Sequence, residues 1–154
     1  SPEPPHLFGG YSDYVYIQPR AMVHKTGEEI SPEVGVLICA VLGDAARWLR
    51  QLGGVSLGDC VVIIGPGQQG SAGVVVASEC GAEPIIAVGL SRDKRRVAMA
   101  RELGAHLTVE AEKEDAFQVV RHATKGRMAK LVMDVSGSEA GARMALELAG
   151  KRAR

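Results

Sequence analysis

Apolar positions along the chain alternate between two kinds of block. Short runs rich in β-branched residues at 60–64, 85–88, 106–109 and 130–135 predict strands, and their continuous rather than alternating hydrophobicity is that of strands covered on both faces. Helical spacing separates them. Val34, Leu37, Ile38, Val41, Leu42, Ala45, Trp48, Leu49 and Leu52 make one apolar stripe, with Ser31 as N-cap, Pro32 at the first helical position and Gly53-Gly54 as terminator. Further helices are expected from the turn after residue 64 to about Cys80, over 94–103 with Gly104 as stop, over 115–123, and from Ser138, acting as cap, to Ala149. Four strand–helix alternations at this spacing predict an α/β fold, a Rossmann-like doubly wound parallel sheet with right-handed crossovers. Near the start, Tyr14, Val15, Tyr16 and Ile17 form a β-prone run that stops at Pro19, after a proline-rich lead up to His6. The end at 151–154 falls where another helix-to-strand turn is expected, so the sheet reads as incomplete there.

Composition narrows the classes. The 154 residues suit one domain with a substantial core, and 18 basic residues balance 18 acidic ones, which argues against a nucleic-acid or membrane partner. No apolar run approaches a membrane span and the N-terminal residues are not a secretory signal, so a cytoplasmic protein is the expectation, with self-association left open. The three cysteines, Cys39, Cys60 and Cys80, form neither a Cys-x-x-Cys pair nor a disulfide pattern, and Cys60 and Cys80 read as small core residues. His6, His24, His106 and His122 are scattered, with no Ser or Cys nucleophile in a recognisable arrangement.

The candidate chemistry lies where the first strand runs into Gly65-Pro66-Gly67-Gln68-Gln69-Gly70. In that position Gly65 would permit a tight turn, Gly67 would leave room for a pyrophosphate, and Gly70 would let helix and strand approach closely, with free N–H groups of the helix directed at the phosphates. Gln68 and Gln69 either hydrogen-bond phosphate or ribose or face solvent. The Gly-Lys-Ser/Thr of a P-loop is missing, which sets a nucleoside triphosphatase aside. An NAD site usually carries Asp or Glu about 20 residues further on. Here Gly89 holds that place, followed by Leu90-Ser91-Arg92-Asp93. A small residue with Ser91 and Arg92 nearby suits a 2′-phosphate, so NADP(H) is expected over NAD(H), unless Asp93 reaches back to the ribose. Of Arg92, Lys94, Arg95 and Arg96, at least two are expected to be a solvated helix face. Ser136-Gly137-Ser138 falls on the carboxyl edge of the sheet, where open α/β folds bind ligands.

With these elements in place the chain resembles the zinc-type medium-chain alcohol dehydrogenase/reductase superfamily. The matching pieces are Gly9-Gly10-Tyr11-Ser12-Asp13-Tyr14-Val15, the helix over 31–52, the segment from Gly58 to Gly70, Ala100-Arg101-Glu102-Leu103-Gly104-Ala105, and Met133-Asp134-Val135-Ser136-Gly137-Ser138. The resemblance implies an NAD(P)-binding domain over 31–154 and, over 1–30, a remnant strand and loop of a catalytic domain. It further implies hydride transfer between nicotinamide and an alcohol or carbonyl substrate, with the backbone at Ser136 and Gly137 near the nicotinamide half of the cofactor. The family's Cys and His-Glu zinc site and its four-Cys loop are not in this sequence. Cys39 lies near the place of a further zinc ligand, a role confined to an intact parent, and zinc is not expected to bind this chain alone. The alternatives are a non-catalytic nucleotide-binding or interaction module and an inactive truncated product.

Overall fold

The computed structural model describes residues 9–154; the proline-rich lead with His6 lies outside the described residues. The chain divides into two units, Ser1–Ser31 and Pro32–Arg154. The described residues of the first form bends, turns and irregular backbone without a strand, which corrects the expectation of one at 14–17. A β-prone run becomes a strand only through a neighbour that takes up its backbone groups, and propensity alone does not supply one. Tyr11, Tyr14, Val15 and Ile17 are exposed.

In the second unit the first helical stripe forms as expected but is not uniform. Helix α1 (Pro32–Val36) passes into π-helical turns over Leu37–Leu42, then α2 (Gly43–Ala46), then π turns again over Arg47–Leu52. The junction residues Val36, Leu42 and Ala46 all keep right-handed helical dihedrals, so the rod is continuous. Only its second half enters the core: Ala45 and Leu49 are fully buried, whereas Val34, Leu37 and Ile38 remain more than 40% exposed.

The remaining elements are β1 (Val61–Ile64), α3 (Gln68–Glu79), β2 (Ile85–Gly89), a 3-10 turn over Ser91–Asp93, α4 (Lys94–Glu102), β3 (Leu107–Glu110), α5 (Ala116–Ala123), β4 (Leu131–Asp134) and α6 (Glu139–Leu148). The strands form one parallel sheet in the order β3-β2-β1-β4, with Val61 opposite both Ile85 and Leu131, and Ile86 opposite Leu107. Strand alternation divides the apolar residues between two layers. Val61, Ile63, Ile85 and Ala87 face Leu49, Val74, Ala77 and Ala100 on one side; Val62, Ile64, Ile86 and Val88 face Val109, Val120 and Leu148 on the other. The three consecutive valines of α3, poor helix formers on their own, are held helical by this burial.

Local signals place the helix ends. Ser138 accepts from the Gly141 amide and caps α6 as expected. Asp115, expected inside the next helix, instead caps α5, its Oδ1 accepting from the amides of Phe117 at 2.9 Å and Gln118 at 3.2 Å. His106 precedes β3, and its Nδ1 accepts from the Ile85 amide. Beyond α6, Ala149 bridges Ala129 in parallel, and Arg154 donates to the Lys130 carbonyl while accepting from the Val132 amide. The sheet therefore continues past β4 in the parallel sense. Among the described residues no helix is long and apolar enough to cross a membrane.

The cysteines are free, with Cys39 exposed and Cys60 buried. Burial pushes the Cys60 thiol up to about 11, against the attraction of Arg127. Folded protein thus holds this proton above pH 9.0, where the unfolded chain releases it. Stability should fall more steeply between pH 9 and 11 in the wild type than in Cys60→Ala, measured by urea unfolding at each pH. Asp115→Ala should lower unfolding free energy by ~1 kcal/mol through loss of the α5 cap, read from the same titration at pH 7.

Candidate dinucleotide site

The strand order reverses at β1. The chain goes outward from β1 through β2 to β3, then crosses back to place β4 on the other side, opening a crevice above the carboxyl ends of β1 and β4. The glycine turn lies at that crevice, and its three glycines stand in different surroundings. Gly65 has φ +97°, and a Cβ there would stand 2.9 Å from the Ser136 backbone; one at Gly70 would stand 2.0 Å from the Gly65 carbonyl oxygen. Both are fixed by the packing of β1, α3 and the loop after β4. Gly67 has φ −77°, open to any residue, and a Cβ there would meet nothing within 4 Å. It stands at the N-cap position of α3 without a side-chain cap, so the first amides of a twelve-residue helix open toward that space.

Two clefts meet at Gly67. One, of 540 Å³, runs over the carboxyl ends of the strands from Gly89 and Arg92, past Gly65 and Pro66, to Ser136 and Ser138. The other, of 560 Å³, is almost wholly apolar and lies between α3 and the first helical segment, with Gln68 and Arg95 at its border. Gln68 is exposed; Gln69, one residue further into the helix, has its side-chain Oε1 buried with no hydrogen-bond partner.

At the β2 end, Gly89 is kept small by its neighbours: a Cβ there would lie 2.8 Å from Val97 Cγ2 and 2.9 Å from Pro66 Cγ. Val97 of α4 and Pro66 of the glycine turn therefore crowd any side chain at this position. Arg92 lines the cleft, while Arg96 pairs with Asp93 at 3.2 Å, and Asp93 also accepts from the Leu90 amide. Ser91 is engaged by two carboxylates that the linear pattern did not single out. Its amide donates to Glu112 at 2.6 Å, its hydroxyl donates to Glu110 at 3.2 Å, and Lys113 donates to Glu110 at 2.6 Å. The Lys113 hydrogen bond holds the Glu110 carboxyl below its usual range, and the Ser91 amide does the same for Glu112. Their separations from Ser91, 19 and 21 residues, hide the contact in the chain. Parallel pairing of β2 with β3 produces it, because both strands end at the same edge.

At the opposite end of the cleft, Asp134 Oδ1 accepts from the Ser136 amide at 3.0 Å, and the Ser136 and Ser138 hydroxyls are 3.0 Å apart. The Cβ position of Gly141 lies against Ser136 Oγ, so that hydroxyl packs beside the start of α6, while Ser136 and Ser138 both remain exposed at the cleft. Gly137, with φ +68° and open space around it, completes the turn.

The structure thus brings Gly65, Gly67, Gly89, Arg92 and Ser136 to one crevice, with Gly70 buried beneath the turn, and the residues fit a dinucleotide: a cleft across the strand ends, uncapped helix amides at its middle, and space at Gly67 that no protein atom claims. They do not fit zinc. Cys39 is exposed on the Leu37–Leu42 turns, and no group of three His, Cys, Asp or Glu side chains that could hold a metal exists among the described residues.

Known proteins share this arrangement. The chain is 35% identical over 133 residues to "Probable alcohol dehydrogenase adh" of Mycobacterium tuberculosis, covering 86% of this chain and 36% of that protein. It is 32% identical over 146 residues to L-threonine 3-dehydrogenase of Bacillus velezensis, covering 95% of this chain and 41% of the relative. Among solved structures, an alcohol dehydrogenase from Thermus sp. ATN1 superposes with a TM-score of 0.75 at 31% identity, over 82% of this chain and 36% of that one. The chain therefore spans well under half the length of these relatives. A family model described as "Zinc-binding dehydrogenase" matches residues 70–154, more than half of the sequence, and the chain belongs to the zinc-binding dehydrogenase family.

Proposed function

We propose that this chain is the NAD(P)-holding part of a zinc-type alcohol dehydrogenase or related oxidoreductase, whose full-length form transfers hydride between nicotinamide and an alcohol or carbonyl carbon. The observation that carries the reading is Gly67. Backbone conformation and protein packing leave that position free for any small side chain, so the space beside it at the start of α3 is open to a ligand. A pyrophosphate on the α3 amides is such an occupant, held by the uncapped helix N-terminus.

The division of labour follows from the cleft. Residues after β2 would receive the adenosine end and the backbone at Ser136 and Gly137 the nicotinamide end, with Gly65 and Gly70 setting the approach between them. The bound cofactor supplies the hydride chemistry, and what this chain contributes is orientation and exclusion of water from one face of the ring. In a longer parent, Cys39 is the zinc-ligand candidate, with the remaining ligands drawn from outside this chain.

For the adenosine end we favour NADP(H). Arg92 lines the cleft, and glycine at position 89 leaves the ribose hydroxyls without their usual carboxylate acceptor. Glu112 opposes this, since its charge sits on the Ser91 amide that a 2′-phosphate would use. Phosphate binding therefore exchanges the Glu112 contact for one to Arg92.

Gly67→Ala should melt within ~2 °C of the wild type yet bind NADP+ at least ~10-fold more weakly by calorimetry, a steric loss confined to the ligand. Gly70→Ala should be destabilised by ~1–3 kcal/mol, as overpacking of backbone against backbone. Unchanged affinity in Gly67→Ala would remove the basis for the reading. The ratio of NADP+ to NAD+ affinity should fall ~10-fold in Arg92→Ala, the scale of one charge-assisted hydrogen bond, and rise in Glu112→Gln. A ratio that Arg92→Ala leaves unaltered argues for NAD(H).

A further inference from the structure

The strands have a second end. At the amino edge of the sheet, opposite the dinucleotide crevice, a separate cleft of 240 Å³ lies among the residues that lead into the strands. Its charges are ordered along that edge. Glu83 precedes β2, Asp59 precedes β1 and Lys130 precedes β4, the three strands being neighbours in that order, and Arg127 and Lys151 join Lys130 in the lining. The cleft is therefore acidic toward β2 and basic toward β4.

The basic end is assembled from two segments that pack closely. A Cβ at Gly150 would stand 2.6 Å from the Arg127 carbonyl oxygen and 2.9 Å from that of Ala129, so the missing side chain is what lets the chain leading to Lys151 lie against the turn before β4. Like charges gathered in this way repel. The ion pairs among the described residues lie elsewhere, at Arg96–Asp93, Lys113–Glu110 and Arg143–Glu139, and none of the three cations pairs with Asp59 or Glu83. Arg127 is also held in place, because its Nε donates to the Thr124 carbonyl at 3.3 Å. The macrodipole of α5 favours cations in its last turn, where Arg121 and His122 stand, but Arg127, Lys130 and Lys151 lie outside that helix. Lys125, Met128 and Arg152, with φ of +52°, +62° and +64°, add left-handed backbone to the same two segments. Such conformations are unfavourable outside glycine and collect at ligand sites.

We propose that this cleft is a second ligand site, for a small phosphorylated sugar or polyol. Arg127, Lys130 and Lys151 would donate charge-assisted hydrogen bonds to the phosphate oxygens. The hydroxyls, which can donate, meet carboxylate acceptors at Asp59 and Glu83. A simple anion uses only the basic end of the cleft, and an uncharged sugar only the acidic one. A volume of 240 Å³ is below the ~300 Å³ at which pockets for drug-sized molecules begin, which limits the occupant to a small metabolite. The site lies at the other end of the strands from the glycine turn and does not depend on the dinucleotide reading.

Amide NMR titration of the 154-residue chain with glucose 6-phosphate, inorganic phosphate and glucose tests it. Glucose 6-phosphate should shift the amides of residues 124–130 and 150–151, with an affinity ~10-fold above that of phosphate at the same amides, the scale of one or two added hydrogen bonds, and glucose should shift none of them. Lys130, Lys151 and Glu83 are exposed, so their variants should keep the wild-type spectrum elsewhere. Lys130→Gln/Lys151→Gln should weaken both phosphates at least ~10-fold. Glu83→Ala should weaken glucose 6-phosphate ~2–10-fold while leaving inorganic phosphate bound as well as before or better, which a general attraction of anions does not produce. Shifts confined to Gly65–Gly70 would assign the phosphate to the dinucleotide crevice and overturn the second site. Equal affinity for the two phosphates, or none for either, overturns it without recourse to a variant. Unaltered binding in the double lysine variant does the same.

Discussion

The close approach of α3 to the end of β1 is the constraint on which the rest of the unit depends. With the Gly65 carbonyl where the Cβ of any other residue at position 70 would be, the helix can start immediately over the strand. That approach sets the α3 amides at the crevice, lets Ala72, Val74 and Ala77 reach the sheet, and draws the loop after β4 against Gly65. A larger residue at either glycine would lift the helix away and open core and crevice together.

The same economy of space shapes the β2 end of the crevice. Val97 and Pro66 lie on Gly89, so α4 and the glycine turn together crowd any side chain at the end of β2. Polar groups then come from neighbouring segments: Arg92 from the 3-10 turn, Glu110 from the end of β3, Glu112 from the loop beyond it. The crevice therefore carries charges of both signs around Ser91.

Much of the fold was legible along the chain because its cues are local. Buried parallel strands show as unbroken β-branched runs, helices as 3.6-residue stripes, and the boundaries as Pro32, Ser138 and Gly104. The misses have physical causes. Tyr14 to Ile17 has strand propensity without a strand, since propensity does not provide a neighbour to bond with. Asp115 looked like a helix member, yet its short carboxylate reaches the amides of the next turn and does better as a cap. In the first helical segment the stripe was correct, but periodicity could not tell that Leu37 and Ile38 would stay exposed while Ala45 and Leu49 were covered, because coverage depends on how far the sheet extends beneath the helix.

The sequence by itself determined the alternation of strands and helices, the glycine turn and the family resemblance, all of which depend on residues near one another in the chain. Tertiary structure decided which glycines are held by protein packing and which stands in open space, since Gly65, Gly67 and Gly70 look alike in a string and differ in what a Cβ would strike. It also decided that Ser91 is held by Glu110 and Glu112, that the Ser136 hydroxyl lies beside the Ser138 hydroxyl at the start of α6, and that the Gln69 oxygen is buried without a donor. Each of these depends on distances between residues brought together by strand order, and sequence separation does not encode those distances.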